Sequence, residues 1–290
     1  MEKTFFSDFF LPASLALIML GMGLNLTYSD FKQVFKPPKA LIIGLLAQMV
    51  LLPAIAFLIA GLLSMPPEIK AGLVLIAACP GGASSNLVNH LLRGNVALSI
   101  SLTALNSMLT LFTIPFVVNL GMYAFLGQER NFELPVLETM RSIFFLIVLP
   151  AFAGVYLRGK FNRLAHQLEQ PLRFILPAVL FTAFLGVLIF DRQENGTSLS
   201  SLVHRLPLAI LLNILGMAAG YLLCLSAKLK KPVRITIAVE VGLQNSSLAI
   251  FIATTLLNSS QMAVIAVLYG ITSFFITIFV GWLIYRFVEK

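Results

Sequence analysis

Charge is scarce in this sequence. Asp, Glu, Lys and Arg make up 11% of the 290 residues, under half of the roughly 25% typical of soluble domains, so most of the chain has no water-facing surface to offer. Cysteine is scarcer still. Cys79 and Cys224 both lie in apolar stretches with no CxxC or Cys/His spacing, which excludes a disulfide framework and a zinc site. The three histidines form no H-E-x-x-H pattern and no Ser–His pairing, and no span carries an aspartate pair, so an intramembrane hydrolase lacks its machinery and the chain is not expected to be an enzyme. The net charge of +8 is scattered over many short segments instead of gathered on one soluble face. No nucleic-acid partner is expected from it, and nothing points to an obligate protein partner.

What the chain has in excess is oil: 59% hydrophobic residues, 24 of them Phe, and a mean hydropathy of +0.94. A helix crosses a bilayer with about 20 apolar residues. Nine such stretches are legible, at 9–27, 40–63, 71–92, 96–120, 142–157, 174–190, 206–225, 235–257 and 262–287. The first follows a terminus with one base, two acids and no small-residue cleavage site, which predicts a retained span and not a removable signal. Of the 20 Lys and Arg, fourteen fall in one alternating set of loops, among them Lys32, Lys36, Arg158, Arg163, Lys230 and Arg234, and six in the other. Positive loops stay cytoplasmic, so the amino terminus is expected outside and the carboxyl terminus inside, as an odd number of spans requires. Eleven of the twelve acids lie in loops or termini; the twelfth, Glu240, lies within a span.

Two spans carry residues that a lipid-facing helix avoids. The third reads Cys79-Pro80-Gly81-Gly82-Ala83-Ser84-Ser85-Asn86, the eighth Glu240-Val241-Gly242-Leu243-Gln244-Asn245-Ser246-Ser247. Proline removes a donor and glycine relaxes the helix, so backbone groups near the bilayer midplane are freed and need protein, water or an ion. A shift of 160 residues lays Gly82 on Gly242 and spans one to four near six to nine, with the fifth unpaired. The expected organisation is a first repeat at 1–127, a connecting span at 128–172 and a second repeat at 173–290. An odd offset makes the repeats antiparallel, and interrupted helices at matching places in inverted repeats mark a transporter's substrate and ion site. The fold class is thus all-α polytopic membrane protein; kinks serving packing alone are the competing explanation.

An ionised carboxylate in a span costs about 2.5–3.5 kcal/mol even on insertion scales. Glu240 has no basic neighbour evident in the other spans and needs a proton or a bound cation. The surrounding hydroxyls, amides and freed carbonyls are hard oxygen donors, which suit an alkali cation such as sodium better than a transition metal. Ser99, Thr103, Asn106 and Thr110 recur at i, i+4, i+7 and i+11 and share one helical face, a pattern equally compatible with packing. Gln48 stands alone in the second span, where interhelical bonding is the commoner role of such a residue. Tyr269, Thr272, Ser273 and Thr277 make a weaker version of the same stripe.

These motifs, with Arg93-Gly94-Asn95-Val96-Ala97-Leu98-Ser99 after the first, Gly21-Met22-Gly23-Leu24 and Ser29-Asp30-Phe31, strongly resemble those of the bile acid:sodium symporter family, over nearly the whole chain. The resemblance implies a helical inverted repeat with two discontinuous helices crossing in a core of spans two to four and seven to nine, beside a panel of spans one, five and six. Bacterial members often have ten spans; this chain resembles the nine-span arrangement. The resemblance further implies one sodium held by Ser85, Asn86, Ser99, Thr103 and Glu240, and a second held by Gln48, Gln244, Glu240 and the carbonyls near Val241 and Leu243. Ala83, Ser84, Asn245, Ser246 and Ser273 would face the substrate. Two positions depart from bile-acid-binding bacterial members. Ala83 stands where some have Thr, and Ser273 or Phe274 where they have a His.

The expected activity is sodium-coupled uptake of an organic anion such as a bile acid, by alternating access, in a bacterial inner membrane. The alternative is a proton-coupled or sodium-coupled carrier of a small carboxylate, such as pantoate or a keto acid, since the family also includes such carriers.

Overall fold

Prolines and asparagines set many of the helix boundaries. In a computed structural model, residues 9–24, 38–82, 84–127, 134–161, 163, 167, 182 and 199–288 are described, and nearly all of them are helical. The helices are α1 (Leu11–Leu24), α2 (Lys39–Leu62), α3 (Pro67–Ala78), α4 (Ser85–Leu91), α5 (Val96–Leu126), α6 (Val136–Lys160), α7 (Leu199–Ser226), α8 (Lys231–Gly242), α9 (Ser246–Leu256) and α10 (Ser260–Phe287). Pro67 opens α3 and Pro232 lies in the first turn of α8, where a missing N–H costs nothing. Asn95 caps α5 and Asn245 caps α9, each side-chain oxygen accepting from the amide three residues on, at 3.1 Å. In α2 and α6 a single π-helical turn, Ala47–Leu51 and Phe144–Val148, immediately precedes a helical segment that carries Pro53 or Pro150 near its start.

Five of these helices, α2, α5, α6, α10 and the Val203–Ser226 part of α7, are long and apolar enough to cross a membrane. Their outward faces carry large apolar side chains, with Phe116 73% and Phe275 70% exposed. Such surfaces suit lipid and not water. The third and eighth expected spans are each present as two helices, α3 with α4 and α8 with α9, while the sixth, at 174–190, lies outside the described residues but for Thr182. α1 packs on α6 so closely that a Cβ on Gly23 would strike the Ala151 carbonyl and one on Gly154 the Leu20 carbonyl. The core runs through α3, which lies against α2, α5 and α10, and through α7, which lies against α8 and α10.

The two interruptions meet. After α3 the chain is extended at Cys79, and after α8 it is extended at Leu243. Gly81 and Gln244 face each other in an antiparallel bridge: the Gly82 amide donates to the Leu243 carbonyl at 2.9 Å and the Asn245 amide to the Pro80 carbonyl at 2.8 Å. Backbone groups freed by each break thus find partners in the other, as a water-poor interior demands.

Candidate functional site

Glu240 sits in the last turn of α8, 1% exposed, and its carboxylate points at the start of α5. Thr103 donates to Oε2 at 2.9 Å. Oε1 accepts from Ser99 Oγ in a short hydrogen bond and from Asn89 Nδ2 at 3.4 Å. Ser99 Oγ also lies 2.8 Å from Asn86 Oδ1 and accepts from Asn89 Nδ2 at 2.9 Å, so its single proton is contested by two acceptors. Ser85 Oγ stands 3.4 Å from Thr103 Oγ1. Among the described residues, none of the groups bonded to this carboxylate is a cation.

The local sequence explains why these groups converge. Ser99 and Thr103 are one turn apart on α5, and Ser85 and Asn89 one turn apart on α4, so each pair presents two side chains on one face. The α4–α5 connection is tied to α8 by the Asn95 amide, which donates to Thr236 Oγ1 at 2.7 Å. Gly81 completes the closure, because a Cβ there would stand 2.8 Å from Glu240 Oε2 and 3.1 Å from Gln48 Nε2. Glycine lets the chain of one break lie against the carboxylate of the other without displacing either side chain.

On the other side of Glu240, Gln48 projects from the π-helical turn of α2 and its Nε2 donates to the Glu240 carbonyl at 3.4 Å. Gln244 Nε2 donates to the Val241 carbonyl at 2.9 Å. Among the described residues, the buried Oε1 atoms of Gln48 and Gln244 and the Oδ1 of Asn89 have no hydrogen-bond partner. Each would cost about 1–3 kcal/mol if it stayed so. Unpartnered amide oxygens beside a carboxylate are what an alkali cation would use as ligands, and the donor set holds no thiolate or imidazole.

The structure therefore gathers Gln48, Ser85, Asn86, Ser99, Thr103, Glu240 and Gln244 around the paired breaks, with the Leu243 carbonyl given to Gly82 and that of Val241 to Gln244. Asn245 is spent on capping α9. Ser246 Oγ is buried with no hydrogen-bond partner among the described residues, and Ser84 is half-buried at the entry to α4. Ser273 is buried on α10, one turn from both Tyr269 and Thr277. Ala83 lies outside the described residues. Of the α5 stripe, Asn106 is buried with neither amide atom partnered among the described residues, while Thr110 Oγ1 bonds back to the Ser107 carbonyl. The reading from sequence overlooked Asn89, although its spacing of four from Ser85 carried the signal. It also overlooked Asn213, the lone amide in its apolar stretch as Gln48 is in its own. Asn213 Nδ2 lies 2.5 Å from the Gly242 carbonyl.

A family model described as the sodium bile acid symporter family matches residues 12–200. The chain is 30% identical over 240 residues to an uncharacterized sodium-dependent transporter, YocS, of Bacillus subtilis, covering 83% of this chain and 72% of that protein. It is 33% identical over 244 residues to a probable sodium/metabolite cotransporter of Arabidopsis thaliana chloroplasts, BASS1, covering 83% of this chain and 58% of the relative. The human P3 protein matches at 30% over 280 residues, 91% of this chain and 56% of the relative. The chain thus spans less than two thirds of the length of the plant and human relatives.

Proposed function

Because the chain belongs to the sodium bile acid symporter family, we propose that it couples inward sodium flow to the uptake of an organic anion by alternating access. The observation that carries this reading is a buried carboxylate without a cationic partner, held by hydroxyls and amides where two interrupted helices pair, beside amide oxygens that have no protein partner. In the proposed mechanism one sodium takes Glu240, Ser85, Asn86, Ser99 and Thr103. A second takes Gln48, Gln244 and Glu240 with the Val241 and Leu243 carbonyls, once the amides turn their oxygens toward it. Filling both sites leaves one net positive charge beside the cargo and ties α4, α5 and α8 together, so sodium reinforces the crossing. The anion then meets Ala83, Ser84, Asn245, Ser246 and Ser273, drawn by the helix amino-terminal end beside Ala83–Asn86.

The chain's nine spans would form the panel and core described above, in a bacterial inner membrane with the amino terminus outside. At a ~100 mV potential and a roughly tenfold gradient, each sodium contributes about 3.7 kcal/mol. Two ions, less about 2.3 kcal/mol for carrying one negative charge inward, leave about 5 kcal/mol, enough for several-thousandfold accumulation. The relatives' names attach to sodium-dependent and sodium/metabolite transport, so a small carboxylate is a cargo of equal standing with a bile acid. None of this calls for an enzyme's chemistry.

The test is sodium-dependent uptake into proteoliposomes of bile salts, pantoate and keto acids, for the native chain and Glu240→Ala. The variant is expected to lose sodium-driven uptake entirely; sodium-driven uptake unchanged in Glu240→Ala would refute the assignment. A proton-coupled carrier would instead keep its uptake in sodium-free buffer as the outside pH is lowered.

A further inference from the structure

The break after α8 leaves a run of carbonyls without helical partners, and each is taken by a different part of the protein. That of Glu240 goes to Gln48 of α2, that of Val241 to Gln244, and that of Leu243 to Gly82. Gly242, between them, is treated differently. Its carbonyl accepts from Asn213 Nδ2 of α7 at 2.5 Å and from Tyr269 OH of α10 at 2.8 Å, with Thr277 Oγ1 of α10 at 3.5 Å. Thr277 Oγ1 in turn accepts from Asn213 Nδ2 at 3.1 Å. Asn213, Tyr269 and Thr277 are all fully buried. A carbonyl oxygen has two lone pairs, so Asn213 and Tyr269 already saturate it and Thr277 braces the amide. Asn213 Oδ1 has no hydrogen-bond partner among the described residues, which hold this side chain through its nitrogen.

We infer that Asn213, Tyr269 and Thr277 form a clamp on the Gly242 carbonyl that sets sodium affinity by fixing the chain between Glu240 and the helix crossing; this rests on the sodium-coupled reading above. Gly242 is the last helical residue of that segment. The carboxylate lies two positions before it, and the extended Leu243 that delivers its carbonyl to Gly82 lies one position after. A Cβ at 242 would meet Met217 Cγ at 2.5 Å and Thr277 Oγ1 at 3.0 Å, so the approach of α7 and α10 requires the glycine. None of the three side chains touches the carboxylate. They are positioning residues: by holding one peptide plane they aim both ends of the break, and a loosened plane spreads the ligands over more orientations than sodium can use.

The experiment is sodium-induced thermal stabilisation of the purified full chain, titrated with NaCl against a choline background, for the native protein, Asn213→Leu, Tyr269→Phe, Thr277→Val and Thr277→Ser. Sodium alone is the probe, so the cargo need not be known. Asn213→Leu is expected to raise half-saturating sodium about tenfold, the value of one buried hydrogen bond of about 1.4 kcal/mol. Tyr269→Phe and Thr277→Val are expected to raise it severalfold, and Thr277→Ser, which restores the hydroxyl, to return it to the native value. Full stabilisation at saturating sodium should be kept. Should Asn213→Leu fail to fold, the Thr277→Val and Thr277→Ser pair decides alone. Variants that melt lower by the same amount at every sodium concentration, with half-saturation unchanged, would overturn the clamp as a positioning device while leaving sodium coupling intact. A native protein that sodium does not stabilise would overturn both.

Discussion

Gly81→Ala tests the proposed ion site with the smallest possible change. The added methyl would stand 2.8 Å from Glu240 Oε2 and 3.1 Å from Gln48 Nε2, where ordinary contact begins at 3.4 Å. Both neighbours are ends of side chains and can give way, so the fold should survive. The carboxylate must retreat by about 0.6 Å to reach that contact distance, whereas the Thr103 O–H···O hydrogen bond at 2.9 Å has only about 0.1 Å of slack before it leaves the usual range. At least one donor to the carboxylate is therefore lost or compressed. A hydrogen bond to a charged group is worth about 1.5–3 kcal/mol, which predicts sodium binding weakened by about 10- to 150-fold. Sodium titration of uptake in proteoliposomes reads this directly. Gly61→Ala, on α2 with nothing within 4 Å of its Cβ, is the control. It should leave sodium dependence unchanged and stabilise the helix by about 0.5–1 kcal/mol. A folded Gly81→Ala protein with native half-saturation would mean that the ion binds elsewhere, and the site described here would be wrong.

Other outcomes follow from the same contacts. Asn89→Leu removes a donor to both Ser99 and Glu240 and should raise half-saturating sodium about tenfold, seen in the same titration. Thr103→Val should act likewise, whereas Thr110→Val, whose hydroxyl only bonds back within its own helix, should leave sodium dependence at the native value. Gly23→Ala would set a methyl against the Ala151 carbonyl, and a backbone atom cannot rotate away. The expected result is a protein destabilised by about 1–3 kcal/mol, measured as a lowered melting temperature in detergent, with sodium half-saturation unaltered in the surviving fraction.

Much of the candidate site was legible because membranes make polar residues conspicuous. A carboxylate, paired glycines after a proline, and Ser/Thr at helical spacing stand out against a background that is 59% hydrophobic, and the cost of burying each one argues for a purpose. Glu240 could be read in this way. Ser99 and Thr103 could be placed on one face, since i and i+4 share a face in any helix, but only the family resemblance favoured a ligand role over packing. Gln48 could not be distinguished from packing by periodicity. Its π-helical turn and its bond to the Glu240 carbonyl are properties of how α2 lies against α8.

The composition and order of residues by themselves determined a helical chain for a lipid solvent, the places where its helices must break, and the oxygen chemistry that gathers there. These follow from local rules: chain length against bilayer thickness, the missing donor of proline, the price of a buried charge. Only the tertiary structure decided that the two breaks pair through Gly81 and Gln244, that Asn89 reaches the carboxylate, and that Asn213 and Tyr269 hold the Gly242 carbonyl. Each of those joins residues far apart in the chain, and which of many buried polar groups finds which partner depends on how whole helices dock. Hydrogen bonding has a range of about 3 Å, so a displacement of one helical turn, invisible to any pattern in the sequence, would have chosen different partners.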